Sequence, residues 1–278
     1  MLIRCWGSRG SIPVSSPDHV QFGGDTSCLE VREDDALIIV DAGTGVRRLG
    51  RLLHEEKVET IHWFFSHTHY DHLIGFPFFK PLYDPCVQVW IYEYPQFDNS
   101  LLKDIDAAIR PPYFPIQIKD CKSKICSCKV SKNPINIHSL SIDTIPISHT
   151  GPGLGFKFQA KGKTCVFLTD NELGYSQGYG VSYSDYVEFC YGADLLIHDA
   201  EYTPEEYMFY KGYGHSSISQ ALQLAIDAHA RKFGLFHHNC NRIDREIHEL
   251  EQYCHEVIYK QNAQTECFAV SQYTRIEL

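Results

Sequence analysis

With 278 residues, 44% hydrophobic and 22% charged, the chain has the make-up of a globular protein with ample material for a core. Its 25 Lys and Arg stand against 35 Asp and Glu, a net charge of −10, which argues against a long polynucleotide as partner because such a partner needs a Lys/Arg-rich face. Apolar runs are strand-length and exclude a membrane-spanning helix, the segment Met1 to Gly7 lacks signal-peptide features, and eleven Cys without a regular framework predict reduced thiols in a cytoplasmic setting.

Residues 2–6 and 28–32 read as strands joined by a Gly/Ser/Pro loop, Gly7 to Asp25. Ala36 to Val40 is a buried strand ending in Asp41-Ala42-Gly43-Thr44-Gly45, followed by a helix over Val46 to Glu56. Ile61 to Phe65 is a strand covered on both faces, and residues 87–92 give another. Ser100 to Arg110 is amphipathic with helical spacing, and the Pro-rich Arg110 to Pro115 must be a stiff loop. Strands are predicted over 135–147, 154–160 and 164–169, then a Gly/Tyr-rich loop at 174–184, a helix near 185–191 and a strand at 194–198. Helix 216–230, strand 233–237 and helix 243–257 complete the pattern. No linker, repeat or low-complexity tract divides it. Two strand-rich halves with interspersed helices predict one α/β domain over 1–278, a four-layer sandwich of two sheets with helices outside.

The densest chemical signal is His67-Thr68-His69-Tyr70-Asp71-His72, directly after the strand Ile61 to Phe65. Ligands collect at that end of strands in open α/β sheets. His67 and His69, two apart in extended backbone, can point the same way, while Asp71 and His72 follow the turn and face a second point. Four ligand-type side chains in six residues suit two adjacent metal ions. Three more strand ends carry metal-competent residues: Ser148-His149, Thr169-Asp170 and His237-His238.

The set Asp41, His67-x-His69-x-Asp71-His72, His149, Asp170 and His237 resembles the five-motif signature of the metallo-β-lactamase superfamily over nearly the whole chain. That resemblance implies the αββα sandwich and a site for two divalent ions, zinc in most members and manganese or iron in some. Carried over, His67, His69 and His149 would hold the first ion, Asp71, His72 and His237 the second, with Asp170 bridging. Asp41 would orient the first histidines by hydrogen bonding. His237 is preferred over its neighbour His238 for its Leu235-Phe236-His237 context, since only one of the pair can face the metals.

Leu196-Ile197-His198-Asp199-Ala200-Glu201 and Gly214-His215-Ser216-Ser217 are similar to paired motifs of the branch that holds tRNase Z, phosphonate-pathway cyclic phosphodiesterases and class II cyclic-nucleotide phosphodiesterases. The resemblance implies a catalytic Asp199–His215 pair that protonates an alkoxide leaving from phosphorus, with Asp71 orienting or deprotonating the hydroxide shared by the two ions. A basic gripping arm is missing after residue 150. The segment 84–134 is instead an aromatic insertion (Tyr92, Tyr94, Phe97, Tyr113, Phe114) that reads as a wall over a compact pocket where a base could stack. The basic stretch from Lys119 to Lys132 is short and broken by Cys. The expected substrate is a small anionic phosphodiester such as a cyclic nucleotide. The alternatives are tRNase Z-like RNA 3′ processing, a carboxylic-ester or lactone hydrolase, and a non-catalytic scaffold.

Three smaller features remain. Arg9 or Thr26, in Gly-rich segments, could touch phosphate, whereas Asp25 would repel it. Cys121, Cys126 and Cys128 could join a fourth ligand around structural zinc. The Tyr-rich run Tyr175 to Tyr191 reads as a pocket rim or as the contact of a homodimer.

Overall fold

The computed structural model describes residues 1–95, 100–112, 114–130 and 133–278; Phe97, Tyr113 and Lys132 lie outside the described residues. The first sheet is built from β1 (Leu2–Gly7), β2 (Cys28–Glu33), β3 (Ala36–Val40), β4 (Thr60–Phe64), β5 (Gln88–Glu93), β6 (Lys124–Lys129) and, from the far end of the chain, β14 (Arg275–Glu277). The second holds β7 (Ile135–Ile137), β8 (Leu140–Pro146), β9 (Leu154–Ala160), β10 (Lys163–Leu168), β11 (Leu195–Asp199), β12 (Lys232–Phe236) and β13 (Glu266–Ala269). Their spatial orders are β14-β1-β2-β3-β4-β5-β6 and β13-β12-β11-β10-β9-β8-β7. Each sheet is mixed. β3 to β6 run parallel beside an antiparallel β1-β2-β3 meander, and β10 to β13 run parallel beside antiparallel β7 to β10.

Strand alternation divides the apolar residues into three layers. Ile38 and Val40 of β3 face the second sheet and pack with Phe64, Phe156, Phe158, Phe167 and Phe236. Leu37 and Ile39 of the same strand face outward, under α1 (Val46–Glu55) and α2 (Leu101–Ile109), with Trp63, Leu49 and Leu53. On the other side Val166, Leu196 and Phe233 lie under α3 (Tyr183–Cys190), α5 (Ile218–Asp227) and α6 (Asp244–Lys260). A further short helix, α4 (Pro204–Tyr210), starts at a Thr203/Glu206 capping box. The result is the four-layer sandwich expected. No helix among the described residues is long and apolar enough to cross a membrane.

Among the described residues of the expected aromatic wall, Tyr92 and Tyr94 belong to the core. β5 and β6 extend the first sheet, so Tyr92 stacks on Phe64 at 4.2 Å and Tyr94 is buried in the same layer, leaving neither ring for a base. Of the other described rings, Phe114 lies edge-on to exposed Phe78 at 5.3 Å, where both line a small apolar hollow with Tyr70. The structural zinc site does not form either. Cys126 and Cys128 lie on β6 beside Trp90 and Tyr92, and Cys121 donates weakly to its own turn at Gln117 O. Among the described residues, no converging ligand group includes them.

Candidate metal centre and active site

The parallel strands deliver their C-terminal ends to one edge of the sandwich. Asp41 follows β3, His67 to His72 follow β4, His149 follows β8, Asp170 follows β10 and His237 follows β12. Asp41, Asp170 and His237 each take left-handed backbone, φ 65°, 52° and 57°, a conformation that costs a non-glycine residue roughly 1–2 kcal/mol. The strand end is thereby turned sharply, and the side chain is thrown into the cleft.

Four overlapping groups result, with ligand atoms within 4.8 Å of one another in each: His67, His69 and His149; Asp71, His72, Asp170 and His237; and two that bring in His215, with His149 and Asp170 and with Asp199 and His237. Asp170 stands between the first two. Its Oδ1 is 3.1 Å from His237 Nε2, 3.8 Å from His67 Nε2 and 3.9 Å from His149 Nε2, while Oδ2 is 3.3 Å from His72 Nε2. Asp71 Oδ2 lies 3.3 and 3.4 Å from His72 and His237 Nε2 and accepts the Ser11 N–H at 2.9 Å. Despite this crowding, the buried Nε2 atoms of His67, His72 and His237 make no aligned hydrogen bond. Nitrogens aimed at carboxylate oxygens without bonding to them fit a divalent cation between them, and the imidazole/carboxylate donor set fits a borderline first-row ion. The His/Asp cluster is thus a divalent-metal site in its chemistry.

Electrostatics divides the first two groups. Burial holds His67 well below the ordinary imidazole range and His149 at about 4, so both present a free lone pair. Burial would also lower His72 and His237, but Asp170 and the neighbouring carboxylates outweigh it and raise both. In the second group, positive charge is therefore drawn in by the carboxylates.

Behind the ligand atoms lies a layer of holders. Asp41 accepts from Ser66 N at 2.7 Å and Ser27 Oγ at 2.8 Å, and pairs with His72 Nδ1 at 2.7 Å. It therefore orients His72 directly and His67 only through Ser66 Oγ, 3.0 Å from each, rather than the first histidines as expected. His238 turns away, its Nε2 donating to Val270 O at 2.7 Å, and leaves His237 to face the cluster. His198 is buried, donates from Nδ1 to Asp199 O, and stays outside the site. Arg9 is fully buried with its guanidinium on the carbonyls of Gly23, Asn239 and Arg242. Thr26 is buried on Asp71 O, so neither residue reaches a phosphate as the glycine-rich segments had suggested. Asp25 is bound to Arg48 and Thr44.

His215 closes the cleft on the second-sheet side, its ring 4.7 Å from His237 and 5.1 Å from His149. Its Nδ1 is 2.6 Å from Asp199 Oδ2 and 3.4 Å from Glu201 Oε2. Burial lowers its pKa, yet the two carboxylates outweigh burial and lift it to about 9. Two acidic holders were not singled out from sequence. Glu201 meets His237 Nδ1 at 3.1 Å and accepts from Asn239 at 2.9 Å. Glu172, buried after β10, accepts from Tyr207 OH and from the N–H groups of Gly212 and Gly214, each at 2.8 Å. It thereby fixes the loop whose Gly214 carbonyl accepts from His149 Nδ1 at 2.8 Å.

Two outcomes follow from these holders. Glu201→Gln keeps the shape but removes the charge behind His237, and metal affinity is expected to fall roughly 10–100-fold, read by competition with a chelating dye. Gly214 has φ 91°, and an added Cβ would stand 2.2 Å from His149 Nδ1. Gly214→Ala is accordingly expected to destabilise the metal-free protein by about 1–3 kcal/mol in urea unfolding and to displace His149; an unchanged midpoint would mean that the loop yields freely.

Comparison with known proteins agrees with this geometry. Residues 37–238 match the model of the beta-lactamase superfamily domain, a stretch that runs from β3 through His237. A ribonuclease Z of Azobacteroides pseudotrichonymphae is 26% identical over 231 residues, 72% of this chain and 77% of that protein. The metallo-beta-lactamase fold protein YhfI from Bacillus subtilis superposes with a TM-score of 0.72 at 17% identity, covering 100% of this chain and 99% of that one. A diphosphatase of the PhnP family does so at 0.69 and 17%, covering 100% and 97%. With the family match spanning the cluster and the sandwich shared end to end, this chain belongs to the beta-lactamase superfamily.

Proposed function

We propose that the protein is a metal-dependent phosphodiesterase acting on small anionic diesters such as cyclic nucleotides. The observation that carries this reading is His215, whose Nδ1 is 2.6 Å from Asp199 Oδ2 on the rim of the His/Asp cluster, where the carboxylate favours the charged imidazole. An alkoxide leaving from phosphorus is strongly basic and needs a proton, whereas an activated leaving group does not. His67, His69 and His149 would hold one divalent ion and Asp71, His72 and His237 a second, with Asp170 shared; zinc suits the set best, with manganese or iron as alternatives. Bound there, the ions would supply a nucleophile from water and neutralise the phosphoryl oxygens.

The chain's own residues do the rest. Ser11 N–H occupies Asp71 Oδ2, so orienting or deprotonating the attacking water falls to Oδ1. Asp199 and Glu201 fix the His215 ring so that its other nitrogen faces the cleft and delivers the proton to the departing oxygen. The net charge of −10 favours a small substrate over a polynucleotide. Eleven free cysteines match a reducing, cytoplasmic setting. RNA 3′ processing is the second reading, favoured by the relative named ribonuclease Z.

The test is product analysis after incubating zinc-loaded protein with 3′,5′-cyclic AMP, with Asp170→Ala as the blank. AMP formed by the wild type alone supports the proposal, and the position of its phosphate identifies the bond cut. Cleavage of a precursor tRNA with cyclic AMP untouched would select the second reading, and turnover of lactones alone would defeat both.

A further inference from the structure

We propose that Tyr210 and Tyr213 form the subsite that receives the base of a nucleoside on the leaving-group side of the phosphodiester. The proposal rests on His215 as the proton donor, because the donor marks where the leaving group must lie.

From His215 an aromatic ladder runs outward to solvent. The His215 ring meets the edge of buried Tyr202 at 6.0 Å. Tyr202 stacks on Tyr210 at 5.0 Å with 15° between the planes, and Tyr210 meets Tyr213 at 5.7 Å, near perpendicular. Tyr210 is 44% exposed and Tyr213 61%. Unlike the other exposed tyrosines that lie singly on the surface, these two rings are joined edge to face and their backbone is tied down. Tyr213 N–H donates to Tyr210 O at 3.1 Å, and Glu172 clamps the glycines on both sides of Tyr213. A preformed ring face gives stacking at little entropic cost, and every base has a π-face to offer it. Next to this platform Lys211 reaches over Tyr175 at 5.8 Å, adding to His215 the second cationic side chain of the rim segment 210–215 and a charge suited to a nucleotide. Exposed Met208 and Phe209 precede it on α4, which makes a second copy of the chain the rival occupant.

The test compares the binding of adenosine 5′-monophosphate and ribose 5-phosphate to zinc-loaded protein by calorimetry, with sedimentation run alongside. Wild type is expected to prefer the adenosine compound by roughly ten-fold or more, and Tyr213→Ala to erase most of that preference. Tyr213→Phe, which keeps the ring, should restore it, and Phe114→Ala, at the separate apolar hollow, should leave it intact. Equal binding of the two phosphates by the wild type would overturn the subsite while leaving the phosphodiesterase reading in place. Loss of the preference in Phe114→Ala, or a dimer that Tyr213→Ala dissolves, would also overturn it. Failure of both phosphates to bind would bring down the reading and the subsite together.

Discussion

His215→Ala is expected to keep its metal ions and its fold while losing about 10²–10⁴-fold in turnover of alkyl phosphodiesters. The ring is stacked on His237 and bonded to Asp199, and although its nitrogen also converges with His149 and Asp170, its removal leaves the seven other ligand-type residues whole. On nitrophenyl esters, whose leaving group departs without help, the loss should be small. The contrast between the two substrates is the diagnostic quantity, obtained from kcat/KM for each together with metal content. Equal losses on both would remove His215 from the proton-donor role and leave it a positioning residue for His237. Asp199→Asn should follow the same pattern more weakly, since Glu201 still lies 3.4 Å from the imidazole.

The second large effect concerns Asp170. Its two oxygens are the centre about which four histidines are arranged, at 3.1 to 3.9 Å. Asp170→Asn keeps the volume but removes the charge shared by both groups. On the proposed two-ion site, metal content is expected to fall to one ion or none per chain. A ligand at a thousand times its dissociation constant stabilises by about 4 kcal/mol, so the upward shift in melting temperature that zinc gives the wild type should collapse in the variant. Metal analysis paired with melts, with and without added zinc, reads both. Two ions retained in Asp170→Asn would rule out a shared carboxylate.

The parts of the fold legible in sequence are those where one physical rule dominates. Buried strands such as Ala36 to Val40 and Cys165 to Leu168 are continuous apolar runs, and their ends coincide with Asp41 and Asp170. The His67 to His72 group could be placed because turn and strand geometry set which residues share a direction. Edge elements were harder. β6 (Lys-Ile-Cys-Ser-Cys-Lys) has only half-exposed and exposed positions, so it reads as a loop with thiols, while β13 and β14 are too short for a period to register. α4 is seven residues long and leaves Met208 and Phe209 in the open, which obscures its amphipathic pattern. The acidic holders carry no local signal at all. Glu172 acts on Gly212 and Gly214, 40 and 42 residues on, and Glu201 on His237, 36 residues on. Only the folded chain brings those partners together.

The ligand groups are drawn from opposite sheets. His67 to His72 follow β4 of the first, and His149, Asp170 and His237 follow β8, β10 and β12 of the second. A cation seated among them would therefore be a rivet through the sandwich, fastening at its rim two slabs otherwise joined by apolar contact and a few polar links such as Lys161 to Glu33 and Asp34. Without it, the imidazoles facing each other across that seam hold only a single hydrogen bond, His69 Nδ1 to His149 Nε2 at 3.0 Å. Catalytic competence and the integrity of the two-sheet joint then draw on a single resource. Metal-starved protein is accordingly expected to be cut by protease faster than metal-loaded protein, with the first cleavages near the seam.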